Sequence, residues 1–598
     1  MNKSLLSIVC VALLNGCQSS PPSSAQASYA NTPLTAAAGK SMAEPTAFAT
    51  LANDIWQQAQ QAHPEIEGEL PDMSAQALAT ADAKRRALVE RLTSVSRQNL
   101  SEQDQINYDI LLYRLQNDID EYRFGAHYMP LTAESGFHNE AASMVSETGF
   151  RQLDDAEAYL KRLASLPRFM QQQTQWMQQG IAKGMTQPQV VLAGFEQSIS
   201  SYIQPDWQKN IFYQPFRQKP ASIDMQRWQE LQTQAKQLIE TEIHPAYQRY
   251  HDFFVHTYLP SARQTIAANA LPNGDAYYQN RLEHYTTLKL TPAQVHQIGL
   301  DEVARIRQEM MDVIAATGFK GSFAEFIQFL RTDRQFYVDT PEQLLKEAAY
   351  LSKKIDAQLP KLFKTLPRTP YGVAPVPAEI APKYTTGRYA GGGAGQAGFY
   401  WVNTYALDRR PLYELEALTL HEAVPGHHLQ IALANEQSNL PDYRRSFYTS
   451  AYGEGWGLYS EYLGLEVGFY QDPYSNFGRL TYEMWRAARL VVDTGMHTMG
   501  WTRQQAIDFL ASNTALSMHN VTTEIDRYIS WPAQALSYKL GEITIKKLRR
   551  QAEQALGNQF DVRDFHDVVL RNGSLPLPLL EQQVAAYISE TKAKKQQK

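Results

Sequence analysis

The chain has 598 residues, 43% of them hydrophobic and 20% charged, which is enough apolar material for a large buried core. Its 56 basic and 62 acidic residues leave a formal charge of −6, without a basic stripe or a long single-sign block, so nothing in it points to nucleic acid as a partner. Only Cys10 and Cys17 occur, which excludes a disulfide framework for the folded part.

Lys3, the apolar run Leu5 to Leu14, and Leu14-Asn15-Gly16-Cys17 read as a secretion signal ending in a lipobox. The apolar run is too short to span a bilayer. The stretch resembles bacterial lipoprotein signals. That implies a signal peptide over residues 1–16, lipidation of Cys17, and a membrane partner reached through the lipid. Gln18 after the cysteine, in place of Asp, resembles sorting to the outer membrane of a Gram-negative envelope, facing the periplasm. Residues 17–45, rich in Ser, Ala, Pro, Gln and Thr, cannot bury a core and read as a flexible tether.

Amphipathic helices dominate residues 46–290. Ala156, Leu160, Leu163, Leu166 and Met170 fall three or four apart. Residues 291–598, which hold the motifs described next, are expected to form a second region and the catalytic one, and 46–598 is expected to be one two-lobed unit. Thr291, Pro292 and Gln294 predict a capping box and helix start, Val295 to Met310 a buried stripe, and Gly318 the stop. His296 on that helix is expected to pack. Prolines crowd residues 367–382, an irregular connection. The triple glycine Gly391 to Gly393 lacks the Lys-Ser/Thr of a phosphate cradle and reads as a mobile loop. Gly398 to Thr404 is the best strand in the chain, and Leu412, Leu415 and Leu418 lead into the next helix. The closing KAKKQQK reads as a solvated tail.

That next helix carries HEAVPGHHLQ, His421 to Gln430. Neutral imidazoles bind Zn²⁺, and a carboxylate beside a ligand can take the proton of a metal-bound water, here Glu422. The spacing departs from H-E-x-x-H, because His427 and His428 follow His421 by six and seven residues. In an unbroken helix six residues turn a side chain about 120° away. Pro425 removes one helical hydrogen bond and Gly426 accepts almost any backbone angle, so a widened turn could bring His427 back. In a regular helix His428 would be the second ligand instead. Glu454, 27 residues beyond His427, supplies a third ligand, with Glu461 on the same helix face as a supporting or alternate carboxylate. Gly457 leaves room for a close neighbour.

HEAVPGHHLQ, then EGWGLYSEYLG, VVDTGMH and RYISWPAQALSYKLGE, together with HYTTLKLTPAQVHQIGLDEVARI upstream, resemble the domain of unknown function 885 (DUF885) family, grouped broadly with thermolysin-like zinc peptidases. Ala533 stands where glycine is expected, a change in a turn more than in chemistry. The resemblance implies a predominantly α-helical metallopeptidase-like fold with a small β element beside the metal helix. One Zn²⁺ would be held by His421, His427 and Glu454, and Glu422 would act as base on a peptide substrate. It also gives the Gly398 strand the role of an edge that pairs with substrate through Tyr400 and Asn403; the alternative is a buried structural strand. His497, Tyr528 and Tyr538 become candidate donors to the oxyanion, and Arg527 a grip for a carboxylate. Two competing readings are a non-catalytic envelope protein that kept the fold and a metal-dependent amidohydrolase acting on cell-wall material.

Overall fold

Helix caps and apolar stripes account for most of the architecture. The computed structural model describes residues 46–598 except 63–67, 148, 379–380, 393–396, 438–439 and 597–598. The signal, Cys17, the tether up to residue 45 and Gly393 of the triple glycine therefore lie outside the described residues.

Ala47–Lys598 form one unit. It is predominantly helical, as expected, with one three-stranded sheet. Among the described residues, no helix is long and apolar enough to cross a membrane.

Helix α1, Leu153–Lys183, buries Ala156, Leu160, Leu163, Leu166 and Met170 in the core of the first half. Helix α2, Pro292–Thr317, has the expected capping box between Thr291 and Gln294 and ends at Gly318, whose φ of 76° suits a residue without a Cβ. Strands β1, Tyr371–Pro375, β2, Gly387–Ala390, and β3, Gly398–Val402, follow. The sheet order is β1-β3-β2, with β3 parallel to β1 and antiparallel to β2.

Helix α3, Leu412–Glu422, begins after Pro411, and α4, His427–Asn435, follows it after a break of four residues. The remaining framework is α5, Ser450–Glu466, α6, Pro473–Thr498, α7, Met518–Ser530, and α8, Ser537–Leu556. Glycines set two of the crossings. A Cβ on Gly299 of α2 would lie 2.7 Å from Leu490 Cβ of α6, and one on Gly541 of α8 would lie 1.9 Å from the Ala451 carbonyl oxygen of α5. The final helix, Leu577–Gln596, continues into the stretch expected to be a tail.

Candidate metal centre

The segment around Pro425 is a full break between helices in place of a widened turn. Ala423 closes α3 with a bond from its N–H to the Thr419 carbonyl, and the N–H of His428 bonds back to the Ala423 carbonyl. A Cβ at Gly426 would sit 1.8 Å from the His421 carbonyl oxygen, so only glycine lets the chain fold back this closely. The indole N–H of Trp456 on α5 donates to the Pro425 carbonyl at 2.8 Å and satisfies a backbone acceptor freed by the break.

The fold-back brings His427 to His421, with the two rings 4.8 Å apart and near perpendicular. Nε2 of His421 lies 3.5 Å and Nε2 of His427 3.3 Å from Oε2 of Glu454 on α5. The ligand atoms of these three residues all fall within 4.8 Å of one another. His428 points elsewhere: its Nδ1 accepts from the Tyr389 hydroxyl at 3.0 Å and its ring packs on Tyr371. Burial lowers the His428 imidazole to about 4, so it is neutral.

A carboxylate can only accept, so His421 Nδ1 donates to Glu461 Oε1 at 2.7 Å. Nε2 is then left with a lone pair aimed at Glu454. Glu461 is itself met by the Arg486 guanidinium at 3.6 Å. Two imidazole nitrogens and a carboxylate oxygen this close repel one another unless positive charge sits among them. Without a metal, protons supply it. Burial disfavours the imidazolium, yet hydrogen bonds with Glu454 and Glu461 outweigh it and hold His421 at about 9. Burial likewise opposes the Glu454 carboxylate, and the two imidazoles keep it well below its ordinary range. A divalent cation would meet the same demand, and a donor set of two nitrogens and one oxygen suits Zn²⁺. Gly457 makes the approach possible, since a Cβ there would lie 2.6 Å from His421 Cε1.

Glu422 is held beside this cluster by β2, whose Tyr389 N–H points away from β3 and donates to Glu422 Oε2 at 2.7 Å. This leaves Oε1 to receive a proton. The Tyr448 hydroxyl donates to Glu454 Oε1 at 3.4 Å. Tyr448 is 49% exposed, yet desolvation drives its hydroxyl well above the usual range. A group that is both reachable by water and enclosed by protein belongs to the wall of a deep cleft. Tyr448 was not read from the sequence; its place six residues before Glu454 was the available signal, as was Gly453, whose Cβ would strike the Tyr448 hydroxyl at 2.2 Å.

Several expected site residues do other work. The strand containing Tyr400 is the central strand, and its paired sides leave no edge for substrate. Tyr400 is fully buried, with Thr419 Oγ1 donating to its hydroxyl at 3.4 Å. Asn403 is equally buried, its amide donating to the carbonyls of Ala381, Tyr384 and Thr385 at 3.0 Å each, which makes it a loop clamp. His497 spends both ring nitrogens on backbone: Nδ1 accepts from Ala268 N–H and Nε2 donates to the Tyr528 carbonyl, each at 3.0 Å. The Tyr528 hydroxyl donates to Glu524 at 2.7 Å and accepts from Trp485 and Arg489, so it has no proton to offer an oxyanion. Arg527 is held from inside by Gln534 at 2.6 Å and Glu524 at 3.4 Å. Tyr538 packs its ring under Arg489, 4.2 Å from the guanidinium carbon, and acts electrostatically on Tyr448 in the cleft wall. His296 packs on α6, its Nδ1 donating to the Thr494 hydroxyl oxygen at 2.8 Å, whose own proton goes to the Leu490 carbonyl. Ala533 has the glycine-like φ of 67°, and its N–H donates to the Asp493 carboxylate.

The model of a family described as "Bacterial protein of unknown function (DUF885)" matches residues 56–584. Among solved structures, the chain is similar to a candidate lipoprotein from Colwellia psychrerythraea, with 29% identity and a TM-score of 0.84 over 91% of this chain and 99% of that one. It also shares its fold with a candidate lipoprotein of unknown function from Shewanella oneidensis, with 17% identity and a TM-score of 0.64 over 90% of this chain and 99% of that one. No curated protein matches it.

Proposed function

The chain belongs to the DUF885 family of bacterial proteins, and we propose that it is a zinc-dependent metallopeptidase related to the thermolysin-like enzymes. The observation that carries this reading is the convergence of His421, His427 and Glu454 with the far nitrogen of His421 fixed by Glu461. When bound there, Zn²⁺ supplies a Lewis acid that polarises a peptide carbonyl and acidifies water.

The remaining roles fall to the chain. Glu461 holds His421 in the tautomer whose Nε2 faces Glu454. The Tyr389 N–H fixes Glu422 by one oxygen, and the other takes the proton of the attacking water and returns it to the leaving nitrogen. Water thus adds across the C–N bond, hydroxyl to carbon and hydrogen to nitrogen. Tyr448, whose hydroxyl reaches Glu454 only at a long 3.4 Å where the Tyr528 hydroxyl is committed to Glu524 at 2.7 Å, can redirect its proton and takes over from His497 and Tyr528 as donor to the developing oxyanion. β2, an edge strand, replaces β3 as the one that can pair with an extended peptide, through its outward backbone groups other than the Tyr389 N–H that holds Glu422. The lipobox at Cys17 and the names of the two structural relatives support an envelope location, with Cys17 anchoring the enzyme to the outer membrane facing the periplasm.

The test is hydrolysis of a peptide mixture by the zinc-loaded protein and by Glu422→Gln. The variant should lose roughly 10²–10⁴-fold in rate while keeping its zinc. Unchanged hydrolysis, or loss of the metal along with the rate, would contradict the role given to Glu422.

A further inference from the structure

The arginines around the cleft are not equivalent. Arg486 faces Glu461 at 3.6 Å, and Arg489 pairs with Glu524 at 2.9 Å. Arg527 is held by Gln534 and Glu524, and it is the charge that acts most on Glu134. Arg388 differs from all three. Among the described residues no carboxylate lies within ion-pair distance of it, and its hydrogen-bonding partner is Tyr384.

Its position gives that free charge meaning. Arg388 sits on β2 directly before Tyr389, whose N–H holds Glu422 at 2.7 Å. Strand alternation sends Tyr389 and its cross-strand partner Tyr400 into the core and leaves Arg388 on the outer face, opposite Trp401. There the side chain is exposed, while Glu422 and Glu454 both act on its guanidinium. The charge of Arg388 in turn acts on Tyr448 and Glu134, so it lies in the neighbourhood of both.

Charge balance points the same way. Glu461 is met by Arg486, and Glu524 by both Arg489 and Arg527, whereas Arg388 keeps a planar group, suited to two parallel bonds with a carboxylate, without an ion-pair partner among the described residues.

We propose that Arg388 binds the C-terminal carboxylate of the peptide substrate, so that the enzyme trims peptides from their carboxyl ends. The proposal rests on the metallopeptidase reading and moves the carboxylate grip from Arg527 to β2. An extended peptide lying along β2 would keep its free end beside Arg388 and present a bond a short distance upstream to Glu422.

The test compares N-acetylated short peptides as free acids and as C-terminal amides. With the zinc-loaded wild type, the free acid should have the higher kcat/KM by roughly 10- to 100-fold, the scale of a charged hydrogen-bonded contact. Arg388→Gln should bring the acid-to-amide ratio near unity, chiefly through KM, with Arg388→Lys between. A second arm measures binding of both peptides to zinc-loaded Glu422→Gln, which needs no turnover. Tighter binding of the acid, lost when Arg388→Gln is added, upholds the proposal. Equal binding of acid and amide overturns it, as does a wild type that cleaves both alike or an Arg388→Gln variant that slows both by one factor. Acid-selective binding without any hydrolysis would keep Arg388 in its role and remove the peptidase reading instead.

Discussion

His421 divides its two nitrogens between two carboxylates: Nδ1 is bound to Glu461 at 2.7 Å and Nε2 faces Glu454 at 3.5 Å. Glu461 therefore controls both tautomer and orientation. Glu461→Gln should weaken zinc binding by about 10- to 100-fold, measured by competition with a chromogenic chelator, and unchanged affinity would remove Glu461 from the centre. The two neighbouring histidines separate cleanly. His427→Ala should lose the metal, whereas His428→Ala should keep it, because the His428 ring faces Tyr389 and Tyr371. Gly457→Ala should also impair the metal site, since a methyl 2.6 Å from the His421 ring forces the imidazole aside. Much of this was legible in the residues. His421, Glu422 and Glu454 announce themselves by type and spacing, and Gly457 by its place one turn from Glu454. The choice between His427 and His428 depended on the backbone path through Pro425 and Gly426, which spacing alone leaves open.

The proposed metal ligands come from three helices, and their closeness depends on how α5 is held against α3 and α8. Gly455 and Gly541 face each other where α5 crosses α8, and a Cβ on Gly455 would lie 2.6 Å from the Gly541 backbone. Gly541→Ala should cost about 1–3 kcal/mol, read as a lower denaturant midpoint; a neutral result would mean that the helices can separate without penalty. Caps made the long helices readable: Thr291 and Gln294 start α2 where their chemistry requires. The sheet was harder. β3, with Phe399, Tyr400, Trp401 and Val402, carries a strong strand signature, but strand order depends on partners distant in sequence. β2 spans only Gly387–Ala390, too short for its alternation to stand out, so the strand that holds Glu422 left almost no trace in the residues. His497 and Tyr528 depart from expectation for a related reason. Histidine and tyrosine in a helical motif look the same whether their polar atoms face a cleft or, as here, satisfy buried backbone and side-chain partners.

At the scale of the whole molecule, distant segments are tied together behind the site. Asp493 on α6 accepts from the Tyr278 hydroxyl at 2.6 Å and from the Ala533 N–H at 3.2 Å, which links the first half of the chain to the turn before α8. Burial, opposed by those two hydrogen bonds, raises its carboxyl from 3.8 to about 7. The folded state thus binds this proton more tightly than the unfolded chain. The stability it contributes is full below about pH 4 and is lost as pH rises through 7. Asp493→Asn should flatten the decline of thermal midpoint with pH across that window, and a variant that declines as steeply as the wild type would contradict the assignment. The scaffold exists, on this account, to hold three electron-rich atoms within 4.8 Å of one another. The most direct test is the zinc content of the purified protein and of its His427→Ala variant, by elemental analysis after dialysis against zinc-free buffer. The account predicts one zinc per chain in the wild type and none in the variant. A metal-free wild type that does not take up zinc when it is offered, or a variant that retains the ion, would contradict it.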